Sequence, residues 1–128
     1  MSSHEIAAIV GTVVLVLLMG FQVLLALGLP LGRAAWGGEH RVLPTNLRWG
    51  SVAAVFILAL AAWMVLARAG IVAPGDDMLV VKILTWIFTG YFSLNVVLNL
   101  LSKSPLERAI MTPTSLVIVL CFVWVARS

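Results

Sequence analysis

Four long apolar runs, each nearly free of charged side chains, constrain the fold of this chain more than any other feature. The runs are Ile6–Leu29, Leu47–Ala67, Met78–Leu101 and roughly Ala109–Ala126. A bilayer core about 30 Å thick requires about 20 apolar residues of helix, and three of the runs reach that length. We therefore predict an all-α protein folded as a four-transmembrane-helix bundle. The helices are expected over residues 6–29, 47–68, 78–102 and 105–126.

The composition excludes a soluble domain. Hydrophobic residues make up 62% of the chain, whereas the apolar share of a soluble domain is about 45–50% even with glycine included. The spans and their connectors use the whole chain, so we expect a single integral membrane domain over residues 1–128. The net charge of +3 does not indicate a nucleic-acid partner, because the basic residues stand singly beside helix ends.

Basic residues are concentrated in two of the three connectors. The first connector contains or adjoins Arg33, Arg41 and Arg48, and the third contains or adjoins Lys103 and Arg108. The second connector has one basic neighbour, Arg68, and two acidic residues, Asp76 and Asp77. The positive-inside rule then places the first and third connectors in the cytoplasm and both termini outside. The segment Met1–Glu5 has no basic residue of the kind that opens a signal peptide, so the first helix is expected to be retained.

A local pattern marks the start of the fourth helix. The run from Ser104 to Glu107 has the form of a capping box, in which the serine caps the helix and the glutamate reaches back to the cap. Pro105 suits the first helical position. Pro113 would then lie inside the helix and remove one of its hydrogen bonds.

The third helix is the most polar of the four. Lys82, Thr85, Thr89 and Ser93 share one helical face, and Asn95, Asn99 and Ser102 form a second cluster. Such side chains face other helices or a water-filled cavity, because hydrocarbon offers no hydrogen-bond partner. They can serve as contacts between helices. Alternatively, the first face lines the pathway of a small oligomeric transporter or channel.

The first connector, residues 30–44, is too long for a tight turn between helices. Arg33 and Arg41 supply positive charge, and the adjacent Glu39 and His40 can exchange a proton near neutral pH. The second polar cluster approaches the same end of the bundle. With Glu107 and Arg108 opposite the connector, we therefore predict a site for a headgroup-sized anion at the cytoplasmic face. Its predicted ligand-binding residues are Arg33, Trp36, Glu39, His40, Arg41, Asn95, Asn99, Ser102 and Arg108.

Other interpretations of this connector stay open. It can lie along the membrane interface, with its arginines on lipid phosphates and Trp36 as an anchor. A minimal membrane enzyme that uses Glu39, His40 and Arg41 on a lipid headgroup is a third class. No nucleophile-elbow spacing occurs, and His4 and His40 are expected on opposite sides, so we predict no catalytic residue, metal site or cofactor.

Small residues on the first two helices favour close helix contacts. They are Ala7 and Gly11 on the first helix, and Gly50, Ala53, Ala54, Ala61 and Ala62 on the second. The contacts can be internal or can join protomers. The partners we expect are membrane lipids and either further copies of the chain or another membrane protein.

Several short motifs carry a resemblance over nearly the whole chain. They are Gly28-Leu29-Pro30-Leu31-Gly32, Trp36-Gly37-Gly38, Leu43-Pro44, Leu47-Arg48, Asn99-Leu100-Leu101-Ser102 and Glu107-Arg108. With these motifs the chain resembles an uncharacterised group of small four-span bacterial membrane proteins. The resemblance implies a bacterial inner-membrane location and transfers no activity. The function expected is that of a non-enzymatic accessory or lipid- or amphiphile-binding component.

Overall fold

A computed structural model describes all 128 residues and contains four long helices. They are α1 (Ser3–Ala26), α2 (Thr45–Arg68), α3 (Leu79–Leu100) and α4 (Pro105–Ala126). Each is long and apolar enough to cross a membrane. The predicted all-α fold, a four-transmembrane-helix bundle, is therefore confirmed, and the chain is a small polytopic membrane protein.

The helices form a ring in which consecutive helices pack against each other and α4 packs against α1. Helix α1 contacts α2 and α4, and α3 contacts α2 and α4, so all four neighbouring pairs are antiparallel. Because α1 ends at Ala26, the first connector spans residues 27–44 in the structure. It lies with the third connector (residues 101–104) at one end of the bundle, called here the connector end. Both termini and the second connector (residues 69–78) lie at the opposite end, called the termini end.

Helix α1 begins and ends about three residues earlier than its apolar run suggests. The Oγ of Ser2 accepts a hydrogen bond from the main-chain N–H of Glu5 (3.2 Å), which caps the helix at its start. At its end, Gly28 has a φ of +89°, and the N–H of Leu29 returns to the carbonyl of Leu24 (3.2 Å). This glycine cap stops the helix although the apolar run continues, because hydropathy does not register backbone geometry.

Helix α4 begins at Pro105, but only half of the capping box forms. The Oγ of Ser104 accepts the main-chain N–H of Glu107 (3.3 Å). The N–H of Ser104 donates to the Oγ of Ser102 (3.2 Å) instead of to the glutamate. The expectation that Glu107 reaches back to the cap is therefore wrong, and its carboxylate is turned towards the first connector, where it accepts the N–H of Gly37 (3.4 Å).

The half of the bundle nearest the termini end, called here the closed half, has a continuous apolar core. A Cβ atom at Gly11 of α1 would lie 3.2 Å from the Cβ of Cys121 on α4, so these helices meet closely there. Phe92 and Phe122 pack edge to face, with ring centroids 5.2 Å apart. The core consists of Ala8, Leu15, Leu58, Ala61, Ala62, Met64, Val65, Ala67, Val81, Phe88, Phe92, Ile118, Phe122 and Val125.

The half nearest the connector end, called the open half, is packed differently. Its apolar cluster contains three buried residues, Leu25, Ala35 and Leu43, of which two come from the first connector. Its other buried side chains include polar ones from α2 and α4, such as Ser51 and Ser115. The connector thus folds back against the helices and takes the place of direct helix packing.

Candidate functional site

Hydrogen bonds attach the first connector to two different helices. The indole Nε1–H of Trp36 donates to the Oγ of Ser51 on α2 (3.1 Å). The hydroxyl of Ser104, at the start of α4, donates to the carbonyl oxygen of Arg33 (2.5 Å). Together with the contact between Gly37 and Glu107, these bonds hold the connector in one position over the open half.

An unusual backbone turn brings Trp36 to this position. Trp36, Gly37 and Gly38 all have positive φ angles, of 51°, 78° and 73°, a conformation that glycine adopts without steric cost. A Cβ at Gly38 would overlap the Cβ of Ser104 and lie 2.7 Å from its Oγ. A Cβ at Gly50 would lie 2.9 Å from the Cη2 of Trp36. The glycines therefore allow the connector to contact α4 and the indole to contact α2.

A cavity of about 220 Å³ lies among the four helices beside Trp36. Four aromatic side chains line it, those of Phe21, Trp36, Tyr91 and Phe92. Its other polar lining residues are Gln22, Asn95, Asn99, Glu107, Thr114 and Ser115. No lysine, arginine or histidine is among the lining residues. Glu107 carries the only carboxylate in the lining, and no basic side chain lines the cavity with it.

The hydrogen bonds around the cavity leave acceptor atoms unused. The Nδ2 of Asn99 donates to the carbonyl of Met111 (3.2 Å) and to the Oγ of Ser115 (3.1 Å). The Oε1 of Gln22 is buried without a hydrogen-bond partner. Glu107 is 7% exposed and accepts one long bond from Gly37. Because a buried acceptor without a donor costs about 1–3 kcal/mol, the cavity favours a guest that donates hydrogen bonds.

An apolar groove adjoins this cavity on the side between α1 and α4. The groove encloses about 510 Å³, and eight of its ten lining residues are hydrophobic. Five residues line both the groove and the cavity, namely Leu18, Phe21, Ala34, Met111 and Thr114. Leu17, on the rim, is 70% exposed. A polar space inside the bundle is thus joined to an apolar opening on its outer surface.

The groove has an identifiable cause in the first connector. Helices α1 and α4 touch in the closed half, where Gly11 faces Cys121. Towards the connector end, the short helical turn Gly32–Ala34 packs against α4, and the buried Ala34 lines both spaces. The inserted turn fills the place that direct contact between α1 and α4 would otherwise occupy.

The predicted ligand-site residues fall into three groups. Trp36, Asn95 and Asn99 line the cavity. Arg33 and Arg108 lie near it, but the Nη1 of Arg33 donates to the carbonyl of Gly38 (2.9 Å), and that of Arg108 donates to the carbonyl of Ser102 (2.6 Å). Their guanidinium groups therefore bind main-chain oxygens of the connectors.

The remaining predicted residues do not line the cavity. Ser102 is buried and accepts the N–H of Ser104. Glu39, His40 and Arg41 are exposed on the connector surface. The structure therefore does not bring the side chain of Arg41 into one cavity with Asn99. A role for these exposed residues in ligand binding stays a prediction.

The sequence prediction did not include Gln22 in the site, and it placed Glu107 opposite the connector without naming it as a ligand-binding residue. Gln22 is the one strongly polar residue in the second half of the first apolar run, and that isolation was a usable signal. Glu107 matches the capping-box pattern, which predicts a partner within its own helix start. The pattern gives no indication of the contact with Gly37, seventy positions away. Only the path of the connector reveals that contact.

The first polar face of α3 has its hydroxyl groups occupied within the helix. Thr85, Thr89 and Ser93 each donate to the carbonyl four residues earlier, at 2.7, 2.8 and 2.7 Å. Thr85 and Thr89 are buried, and the hydroxyl of Thr85 also approaches the carbonyl of Met64 on α2 (3.4 Å). Thr85 and Thr89 therefore lie in the packed interior of the closed half, whereas Ser93 is exposed, and none of the three residues lines the cavity.

Comparisons with family models, curated proteins and solved structures find no match for this chain. The four apolar helices agree with the small four-span architecture that the sequence resemblance implies. Bacterial origin, the inner-membrane location and the orientation of the termini stay predictions.

Proposed function

We propose that this protein binds a single-chain amphiphile in its open half, as a non-enzymatic component of the membrane. The hydrocarbon chain lies in the groove between α1 and α4, and the polar head lies in the cavity beside Trp36. The observation that carries this proposal is the junction of the two spaces, which share five lining residues. An amphiphile is the class of molecule whose two ends match a polar and an apolar space that adjoin.

The groove provides access from the membrane. Its lining side chains include Leu17 and Val117, which are exposed on the outer surface of a membrane-spanning bundle. A chain that moves from lipid into this groove exchanges one apolar neighbour for another. Hydrophobic burial therefore contributes little net affinity.

The head must then supply most of the selectivity. The cavity contains amide, hydroxyl and carboxylate groups among the four helices, where the local dielectric constant is lower than that of water and hydrogen bonds are stronger. Gln22 offers an acceptor that no protein group satisfies. A head that donates hydrogen bonds would satisfy this atom, whereas an alkyl tail or an aromatic hydrocarbon would not.

A substitution that fills the groove tests the proposal. Val117 lines the groove and is 40% exposed, while its neighbour Leu116 is 46% exposed and does not line it. We would embed the wild type, Val117→Trp and Leu116→Trp in phosphatidylcholine nanodiscs with dodecylamine, dodecanol or lauric acid. Native mass spectrometry would then count the amphiphiles retained by each protein.

We expect the wild type and Leu116→Trp to retain one copy of at least one probe per chain. Val117→Trp should retain at least about tenfold less, because the indole occupies the volume of the chain. Retention of none of the three probes by the wild type would contradict the proposal. Equal retention by the two tryptophan variants would contradict it as well.

A further inference from the structure

We infer that the cavity selects an ammonium head, so that the ligand is a single-chain amphiphile with a protonated amine and Glu107 is its counter-ion. This inference rests on the proposed function, because it names the chemical class of the head that the cavity receives. It comes from the charges, the unused acceptors and the aromatic groups around one space.

The charge around the cavity is negative. Glu107 is the one residue with a charged side chain among the seventeen that line it. Arg33, four positions before Gly37, and Arg108, next to Glu107 in the chain, donate to connector carbonyls. Glu107 is also the third residue of α4, where the positive end of the helix dipole favours a negative charge. A cationic guest would complete the pair that the protein leaves open.

The hydrogen-bonding groups favour the same guest. Asn99 uses its amide N–H groups on Met111 and Ser115, which leaves its Oδ1 as an acceptor. Gln22 contributes the unpartnered Oε1, and Glu107 contributes carboxylate oxygens. A primary ammonium group carries three donors and no acceptor, which complements these acceptors.

The aromatic side chains provide a third contribution. Phe21, Trp36, Tyr91 and Phe92 line the cavity together with the carboxylate. Aromatic rings attract cations through their quadrupole, and the attraction grows when the cation has lost its water. An anionic head would find neither this attraction nor a basic side chain, and it would lie near the Glu107 carboxylate. Fatty acids and phospholipids are therefore disfavoured, the latter because of their phosphate.

The test compares heads and variants in the same nanodiscs. The probes are dodecylamine, dodecanol and lauric acid, with phosphatidylethanolamine as a competing lipid that carries both an ammonium group and a phosphate. The variant is Glu107→Gln, whose amide oxygen can still accept the N–H of Gly37. Its matched control is Glu5→Gln, which makes the same change at a glutamate near the termini end, outside the cavity.

A second variant guards against a folding defect at Glu107. Gln22→Leu removes the Oε1 acceptor, which has no partner in the protein. The substitution therefore breaks no hydrogen bond to that oxygen within the fold. An unchanged unfolding temperature of each empty variant establishes that the fold is intact. Retention of dodecanol gives a second check that the groove still holds a chain.

We expect the wild type and Glu5→Gln to retain dodecylamine in preference to dodecanol and lauric acid. Glu107→Gln should lower dodecylamine retention about tenfold or more, as expected for the loss of a charged hydrogen-bond partner. Its dodecanol retention should not change. Gln22→Leu should lower dodecylamine retention by a smaller factor, because the acceptor that it removes is neutral.

Four results would overturn the inference, and they are distinguishable from failure of the proposed function. Equal retention of the three heads, or a preference for the amine that survives Glu107→Gln, would remove the ammonium assignment. An undiminished preference in Gln22→Leu would remove the acceptor argument. Displacement of dodecylamine by phosphatidylethanolamine would remove the single-chain assignment. In each case Val117→Trp would still lower chain retention, whereas failure of the wild type to retain any probe would reject the proposed function itself.

Discussion

The two halves of this bundle use the same four helices but fill the space between them in different ways. In the closed half, fourteen buried apolar residues pack directly, and Gly11 allows α1 to approach Cys121 on α4. In the open half, three buried apolar residues form the cluster, and a folded connector lies between the helices. The comparison teaches that the internal space of the open half follows from an inserted segment and not from loose packing throughout.

The small residues of the first two helices show the same contrast. Ala61 and Ala62 are buried in the closed core, and Gly11 meets α4 of the same chain. Gly50, in the open half, receives the indole of Trp36. These small residues therefore make contacts within one chain. Gly11, Ala61 and Ala62 pack in the closed half, and Gly50 packs against the first connector.

The largest effect is expected where the connector meets α4. Gly38→Ala combines a positive φ with overlap of the Ser104 side chain, and we expect a loss of about 3 kcal/mol in unfolding free energy. Gly37→Ala is the matched control, because Gly37 also has a positive φ but no atom lies within 4 Å of its added Cβ.

Urea or thermal unfolding in micelles would measure both variants. Gly37→Ala should lose only about 1–2 kcal/mol, the cost of a left-handed backbone for an L-residue. Equal losses in the two alanine variants would contradict the tight connector contact, and with it the contrast between the halves.

A smaller loss is expected from the contact that defines the closed half. Gly11→Leu should destabilise the protein by about 2 kcal/mol, because its side chain must displace Cys121. Gly20→Leu, on the same helix, has no atom within 4 Å of its added Cβ and should be tolerated. Thermal unfolding followed by tryptophan fluorescence gives both values. A Gly20→Leu variant as unstable as Gly11→Leu would contradict the assignment of the loss to the contact with Cys121.

The smallest effect concerns the single hydrogen bond between the connector and α2. Ser51→Ala removes the acceptor of the Trp36 Nε1–H and should cost about 1 kcal/mol. Amide exchange of the connector should rise, while the closed half should keep its protection. Ser93→Ala removes a hydroxyl that donates within its own helix and should leave the connector unchanged. Faster exchange throughout the protein in Ser51→Ala would contradict a local role.

Apolar length was sufficient to predict the number of helices, because a membrane span needs a long run of apolar residues. It was insufficient for the end of α1, where the left-handed Gly28 stops the helix inside an apolar run. The capping-box pattern was likewise insufficient to predict the partner of Glu107. The pattern describes neighbours in sequence, whereas the carboxylate accepts the N–H of Gly37 in the first connector.

The polar residues of the site were only partly accessible from the sequence. Asn95 and Asn99 stand out in an apolar helix, and both line the cavity. Arg33 and Arg108 suggested an anion site from their charge, but the turn through Gly37 and Gly38 presents carbonyls that occupy the Arg33 side chain. That turn determines which N–H groups of Arg33 remain free to bind a ligand. Its positive φ angles at three successive residues could not be predicted from the residue types alone.

The most direct test of an amphiphile site in the open half is a crystal structure with dodecylamine that carries bromine at the end of its chain. Anomalous scattering would locate the bromine without reference to the rest of the ligand. We expect one bromine peak per chain in the groove between α1 and α4, near Leu17 and Val117, with the amine beside Glu107. A bromine peak confined to the outer surface of the closed half, or none in the groove at saturating ligand, would contradict the proposed site.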